Sequence, residues 1–167
     1  RGFVYHMTCR GSRFKDGALR NPAGQVFMKG RESDEWLEQN LRSTRNFIRK
    51  WGHMVKHDLY LKPIIPPKYD IGFVAYNCDS NLLKELEPWC SKIYLDSKNS
   101  DDMSEYRKEE QPNTQFNLDE RIKLYGNNKV SEMHNICVEF DAQKLTPQNF
   151  QIIVNMSEML QDSGEVG

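Results

Sequence analysis

Residues 70–76 read Asp-Ile-Gly-Phe-Val-Ala-Tyr, an apolar run bounded by turn residues, and the chain around this run decides the fold. The run predicts a β-strand. Asn77-Cys78-Asp79 turns the chain, and Asp79 or Ser80 caps a short helix that reaches about Glu87. Pro88 stops that helix, and Ile93–Leu95 is a second strand. Asp96–Asn117, rich in Ser, Asn and Glu, reads as a polar loop, and Leu118–Leu124 as a helical turn. Asn135–Phe140 is a further strand. Thr146 then caps a helix with Pro147 at its first position, running to about Gln161 on Phe150, Ile153, Val154, Met156 and Leu160. Asp162-Ser163-Gly164 ends it. Strand followed by helix thus occurs twice, from 70 and from 135, and a strand after Gly167 would complete the second unit.

Upstream, Lys62-Pro63-Ile64-Ile65-Pro66-Pro67-Lys68 is a stiff, extended connector. Before it, residues 33–52 read SDEWLEQNLRSTRNFIRKWG. Ser33 is the N-cap, Asp34 and Glu35 suit the first turn, and Arg49 and Lys50 suit the last. Gly52 is the natural stop. Leu37, Leu41, Ile48 and Trp51, with Trp36 and Phe47, recur at close to helical spacing, so they are expected to form the buried face. Truncating Leu41 or Phe47 on such a face would cost about 2–5 kcal/mol. Gly2–Tyr5 reads as a short strand with nothing before it to pair with. His6–Gly30 is turn and loop chemistry. The chain has no initiator Met and reads as a piece of something longer.

The net charge of −1 conceals an asymmetry. Arg1–Lys68 carries 14 Lys and Arg against 6 Asp and Glu, and Tyr69–Gly167 carries 9 against 18, so the halves are +8 and −9. A basic half suits an anionic ligand such as a nucleotide diphosphate, but two halves of opposite sign also suit each other. The sign changes at the connector, which sets the expected domain boundary: 1–66 and 67–167. The acidic second half argues against nucleic acid. No stretch approaches the length and apolarity of a membrane span, and no secretory pattern is visible. Cys9, Cys78, Cys90 and Cys137 are dispersed, with no CxxC pair. Reduced thiols in a cytoplasmic setting are therefore expected rather than zinc or disulfides.

The candidate chemistry lies near the start. His6, at the end of the first apolar run, is either a metal ligand through one ring nitrogen or a structural hydrogen-bonder. Arg10-Gly11-Ser12-Arg13 offers planar donors and free backbone N–H groups to a phosphate, or loop arginines to a carboxylate. His53 and His57 have i, i+4 spacing but lack the Glu of the HExxH signature, so they read as solvated or capping residues. Asp101-Asp102 and Glu109-Glu110 read as solvated acids. A P-loop, a GxGxxG loop and a Ser–His–Asp constellation are absent from the sequence.

Tyr5-His6, Arg10-Gly11-Ser12-Arg13-Phe14, Trp36, Asn40, Phe47 and Lys50-Trp51-Gly52 together resemble the C-terminal end of a family 2 glycosyltransferase of GT-A fold. The resemblance covers residues 3–52. It implies that His6 contacts the Mn²⁺ or Mg²⁺ of a nucleotide-sugar diphosphate, and that Arg10, Ser12 and Arg13 lie on the loop closing over that diphosphate. The metal would neutralise the leaving diphosphate as the glycosyl bond breaks. The family's Asp-x-Asp motif and catalytic base precede this point and are not in these residues, so the chain alone is expected to be inactive. The expectation is therefore an α/β chain: the C-terminal piece of a GT-A-like domain joined by a Pro-rich connector to a small acidic strand-helix-strand/strand-helix module. Its function would be that of a fragment of a metal-dependent glycosyltransferase taking a nucleotide-sugar donor to a glycan, lipid or protein acceptor. The rival expectation is a self-contained, non-catalytic binding module whose basic half docks an anionic partner.

Overall fold

The computed structural model describes residues 14–15, 18–19, 33–126 and 130–164, and it divides into two compact units, Arg1–Leu41 and Arg42–Gly167. In the first unit, β1 (Phe14–Lys15) pairs antiparallel with β2 (Ala18–Leu19). Helix α1 (Asp34–Trp51) begins in this unit and ends in the second. The predicted strand at Gly2–Tyr5 lies outside the described residues. The division falls inside α1 rather than at the Pro-rich connector where the charge sign changes.

The second unit is α/β, with a four-stranded sheet that is parallel throughout. After α1, β3 (Lys56–His57) and β4 (Pro63–Ile64) form a small antiparallel hairpin. The chain continues through β5 (Ile71–Tyr76), α2 (Ser80–Leu86), β6 (Lys92–Leu95), α3 (Ser100–Glu110), α4 (Leu118–Arg121), β7 (Ile122–Leu124), β8 (Ile136–Asp141) and α5 (Pro147–Ser163). The sheet order is β7-β6-β5-β8. Two strands are laid outward on one side of β5, and then the chain crosses to its other side. Val130 and His134 belong to that crossover and pack on the face opposite the main helical layer.

Alternation along the strands builds two unequal cores. Ile71, Phe73 and Ala75 of β5 and Ile93 and Leu95 of β6 face the large core, with Leu83 and Leu86 of α2, Met103 and Tyr106 of α3, and Ile153 of α5. On the other face, Val74 and Tyr94 form a smaller cluster with Val130, Tyr76 and Cys137. The helix ends follow local chemistry. The Asp79 carboxylate accepts from the Leu82 N–H at 2.9 Å and caps α2. Thr146 and Asn149 cap each other's backbone in a reciprocal box at the start of α5. Gly52 and Gly164 take the left-handed conformation that closes α1 and α5.

Three expectations are corrected. The stretch 96–117 is not a loop but contains α3, whose buried positions are Met103, Tyr106 and Glu110. One of those three is a carboxylate, so the apolar stripe is too thin to read. Residues 122–124 form the edge strand β7 rather than a continued helical turn. The buried face of α1 is Arg45, Ile48 and Arg49, whereas Leu37 and Leu41 are 53 % and 46 % exposed. A Leu41 truncation therefore loses little of the burial expected of it.

Candidate functional site

The order of the sheet reverses between β5 and β8, whose carboxyl ends lie side by side, and the helices that follow them, α2 and α5, both pack on the large-core face. Open α/β sheets bind ligands at such a reversal. Asn77, the first residue after β5, has φ +51°, a left-handed conformation that asparagine tolerates. Its Oδ1 accepts from Lys98 Nζ at 2.6 Å. Its side chain also bonds to Asp141 at the end of β8, and this bond above all holds that carboxyl below the usual carboxylate range. Lys98 in turn stands 3.3 Å from Asp96, the first residue after β6. One asparagine thus ties together three loops.

Aromatic and apolar surface adjoins this rim. The Tyr76 phenol donates to Glu139 at 2.8 Å, a bond that pushes its pKa up to about 12. Its ring stands edge-on to Tyr125, with centroids 6.3 Å apart. A groove of about 330 Å³ lies between α2 and the start of α5, lined by Leu82, Leu86, Leu145, Pro147 and Phe150 among others. Nearby, Asp102 accepts from the Ser80 N–H at 3.3 Å and from Asn99 Nδ2 at 3.0 Å. Asn99 Oδ1 is buried without a hydrogen-bond partner.

Chemically the rim can bind more readily than it can react. Asp96 can accept two hydroxyl donors, and Asp141, which already accepts from Asn77 and the Gln143 N–H and stands 3.6 Å from Lys144, can accept one; Asn77 and Lys98 can donate, and tyrosine faces can pack against a sugar ring. The nearest thiol, Cys78, is buried and its pKa is pushed up to about 12 by that burial, so it is no nucleophile.

A second polar cluster has the opposite character. Arg49 is fully buried, with Nε on Glu87 Oε2 at 2.9 Å and one terminal nitrogen on both Tyr106 (2.9 Å) and Glu110 (2.8 Å). Arg45 makes a two-pronged pair with Glu110 at 2.9 and 2.7 Å. Arg121 closes the other side of Glu87 and also donates to the carbonyl of Cys90 at 2.6 Å. Burial alone would raise the Glu110 pKa, but the hydrogen bonds from Arg45 and Arg49 outweigh it and lower the value. Burial likewise opposes the Arg49 charge, but Glu87 and Glu110 raise its pKa overall. Glu110 is thus not a solvated acid. The asymmetry of charge along the sequence is in part internal pairing, since Lys56 also reaches Glu158 at 2.5 Å.

A third arrangement holds the crossover to the sheet. His134 Nδ1 stands 3.0 Å from Asp70 Oδ1, and its Nε2 is 3.0 Å from the Tyr94 phenol. The ring lies against Gly72, where an added Cβ would come within 2.4 Å of it. Glycine is required here by close approach. This chain sits at the amino end of β5, away from the Asn77 rim, and works as a lock.

Of the predicted site residues, His6, Arg10, Ser12 and Arg13 lie outside the described residues. Among the described residues no group of three or more His, Cys, Asp or Glu side chains could hold a metal ion. His53, expected to be solvated or capping, is instead buried, with Nδ1 2.7 Å from the Met54 carbonyl oxygen, and His57 is exposed. Cys78 and Cys90 are free and buried, and Cys137 is free and half-buried. No helix among the described residues is long and apolar enough to cross a membrane. The rim residues were missed by sequence reasoning. The available signal was Asp96, an acid ending the second strand of a strand-helix-strand unit about 20 residues after the first turn, a position that meets ribose hydroxyls in many such folds. Compared with known proteins, the chain matches no family model, no curated protein and no solved structure.

Proposed function

We propose that Arg42–Gly167 binds a hydroxyl-rich ligand, the sugar portion of a nucleotide or a saccharide, at the carboxyl ends of β5, β6 and β8. The observation that carries this reading is Asn77, which holds Lys98 and Asp141 from two different loops at the strand-order reversal. Two carboxylates with unused acceptor capacity, an ammonium and two tyrosines make a site for vicinal hydroxyls. The loop after β5, Asn77-Cys78-Asp79-Ser80, has no glycines to cradle a pyrophosphate, so the diol rather than the phosphates would be the recognised part.

The reading joins the resemblance over residues 3–52. On this reading the two would belong to part of a metal-dependent, nucleotide-sugar glycosyltransferase. In it, His6 would meet Mn²⁺ or Mg²⁺, with Arg10, Ser12 and Arg13 near the donor diphosphate, and the α/β unit would hold the sugar of donor or acceptor. The metal would supply charge neutralisation for the leaving diphosphate. The rival reading, a basic module docking an anionic partner, loses part of its charge to the internal pairs of Arg45, Arg49 and Lys56.

The test is ligand-observed NMR on the full chain with three probes: uridine monophosphate, UDP-glucose and maltose. Saturable transfer to ribose protons assigns the site to a nucleotide, and transfer to the maltose rings alone assigns it to a saccharide acceptor. Asp96→Asn should weaken whichever ligand binds by about tenfold, or ~1.4 kcal/mol. Absence of transfer from all three, or binding unaffected by Asp96→Asn, removes the site.

A further inference from the structure

The loop joining β3 to β4 carries Leu59, Tyr60 and Leu61, which are 99 %, 83 % and 76 % exposed. They contribute almost nothing to the core, yet the loop is well built. The Asp58 N–H donates to the Lys62 carbonyl at 2.9 Å, and the Leu61 N–H donates to the Asp58 carbonyl at 3.1 Å. Asp58 Oδ1 accepts from the Tyr60 and Lys62 N–H groups at 2.8 and 2.9 Å. Three consecutive loop N–H groups are therefore satisfied internally, and the acid in the loop is turned onto its own backbone. Leu61 has φ +61°, a left-handed conformation strained for a branched residue and natural for glycine. The fold gains neither burial nor backbone ease from a leucine there.

Apolar exposure continues behind the tip. Val55 and Ile65 are also exposed, and a groove of about 240 Å³ lies between the hairpin and the end of α1, walled by Phe47, Trp51 and Ile64 among others. The same wall includes His53, buried, with Nε2 lacking a hydrogen-bond partner. The charge around this surface is basic. Lys62 at the tip and Lys50 and Lys68 behind it pair with no carboxylate among the described residues. Lys50 lies over the Trp51 ring at 5.0 Å, and Lys68 donates to the Arg49 and Lys50 carbonyls.

We infer that this hairpin docks the protein on an anionic lipid surface, with Leu59, Tyr60 and Leu61 entering the interface and the lysines meeting the headgroups. A convex tip of three side chains falls far short of the roughly 800 Å² per partner that a stable protein interface buries. A few apolar side chains with basic neighbours do suffice for interfacial binding, and an inserted loop must satisfy its own N–H groups, as this one does at Tyr60, Leu61 and Lys62. The inference is independent of the sugar-binding rim.

The experiment is vesicle co-sedimentation of the full chain. One set of vesicles is phosphatidylcholine alone, and the other contains about one quarter phosphatidylserine, anionic enough to attract a small basic patch. The expected result is sedimentation with the anionic vesicles, weakened by added salt. The variant carrying Leu59→Ser, Tyr60→Ser and Leu61→Ser should keep the wild-type melting temperature and partition at least about tenfold less. Leu61→Gly relieves the backbone, so it should melt no lower than wild type and still bind less. A Tyr60→Trp reporter should shift its emission to the blue on anionic vesicles only. No sedimentation of the wild type, equal sedimentation of the triple variant, or a tip-dependent dimer without vesicle binding would each overturn the inference.

Discussion

The second unit contains two clusters built from the same residue types, and they differ in what is left over. The Arg45–Glu110–Arg49–Glu87–Arg121 chain is buried and each charge faces an opposite one. The Asn77–Lys98–Asp96–Asp141 rim is held together just as specifically, but it is open to water, and its carboxylates keep acceptor capacity. A saturated buried network has no vacancy for a ligand, and disturbing it leaves an uncompensated charge. A rim in contact with water can exchange solvent for hydroxyl groups. Charge pairing by itself therefore does not mark a site; unused capacity at a topological reversal does.

The buried cluster is most sensitive at Arg49. Arg49→Met should cost about 3–5 kcal/mol, because Glu87 and Glu110 lose their shared cation while remaining buried. Urea unfolding measures this, and a loss below about 1 kcal/mol would show that the network is not the fastening described. Next comes the lock on the opposite face. Gly72→Ala drives a methyl into the His134 ring and should cost about 1–3 kcal/mol, again read by unfolding.

A smaller effect is the acid limb of stability, to which the lock and the buried network both contribute. Burial raises the Asp70 pKa, but hydrogen bonds from Ser91 and His134 outweigh it, and the net value is lowered. Glu110 is lowered as well. A carboxyl whose folded pKa lies below its unfolded one contributes stability that is complete above the unfolded value near ~4 and is lost as pH falls through the folded value. Stability should therefore decline below about pH 4 and change little from there toward neutrality as far as these groups are concerned. Asp70→Asn should lower stability near neutrality and flatten part of the acid decline; an unchanged acid limb would remove Asp70 from the account. The smallest effect is expected at the rim. Asp96→Asn should move the melting temperature hardly at all, less than about 0.5 kcal/mol in stability, while weakening sugar binding as above. A large loss of stability there would make the rim another fastening.

Much of the fold was legible, and the reasons are local. DIGFVAY announced β5 because it is buried on both faces, and Asp79, Thr146-Pro147, Gly52 and Gly164 marked helix ends through chemistry confined to a few residues. What stayed hidden depended on partners distant in sequence. Glu110 looks like a surface acid until Arg45 and Arg49, 65 and 61 residues away, are placed beside it. The same pairing misdirects the reading of α1, where arginines occupy the positions expected of leucines. The rim was illegible for the same reason: Asn77, Lys98 and Asp141 become one feature only after the strand order is known.

The buried Arg45–Glu110–Arg49–Glu87 network also dictates where this protein can be cut. The Pro-rich stretch looks like a hinge between parts, yet a piece beginning at Pro67 would forfeit the guanidinium groups of residues 45 and 49 and retain the two glutamates and the phenol that answer them. Such a truncation would have to hydrate or protonate those glutamates before it could close its interior. The terminal turns of the long helix thus behave as an integral wedge of the α/β body, and any division of the chain for separate study should leave them attached to it.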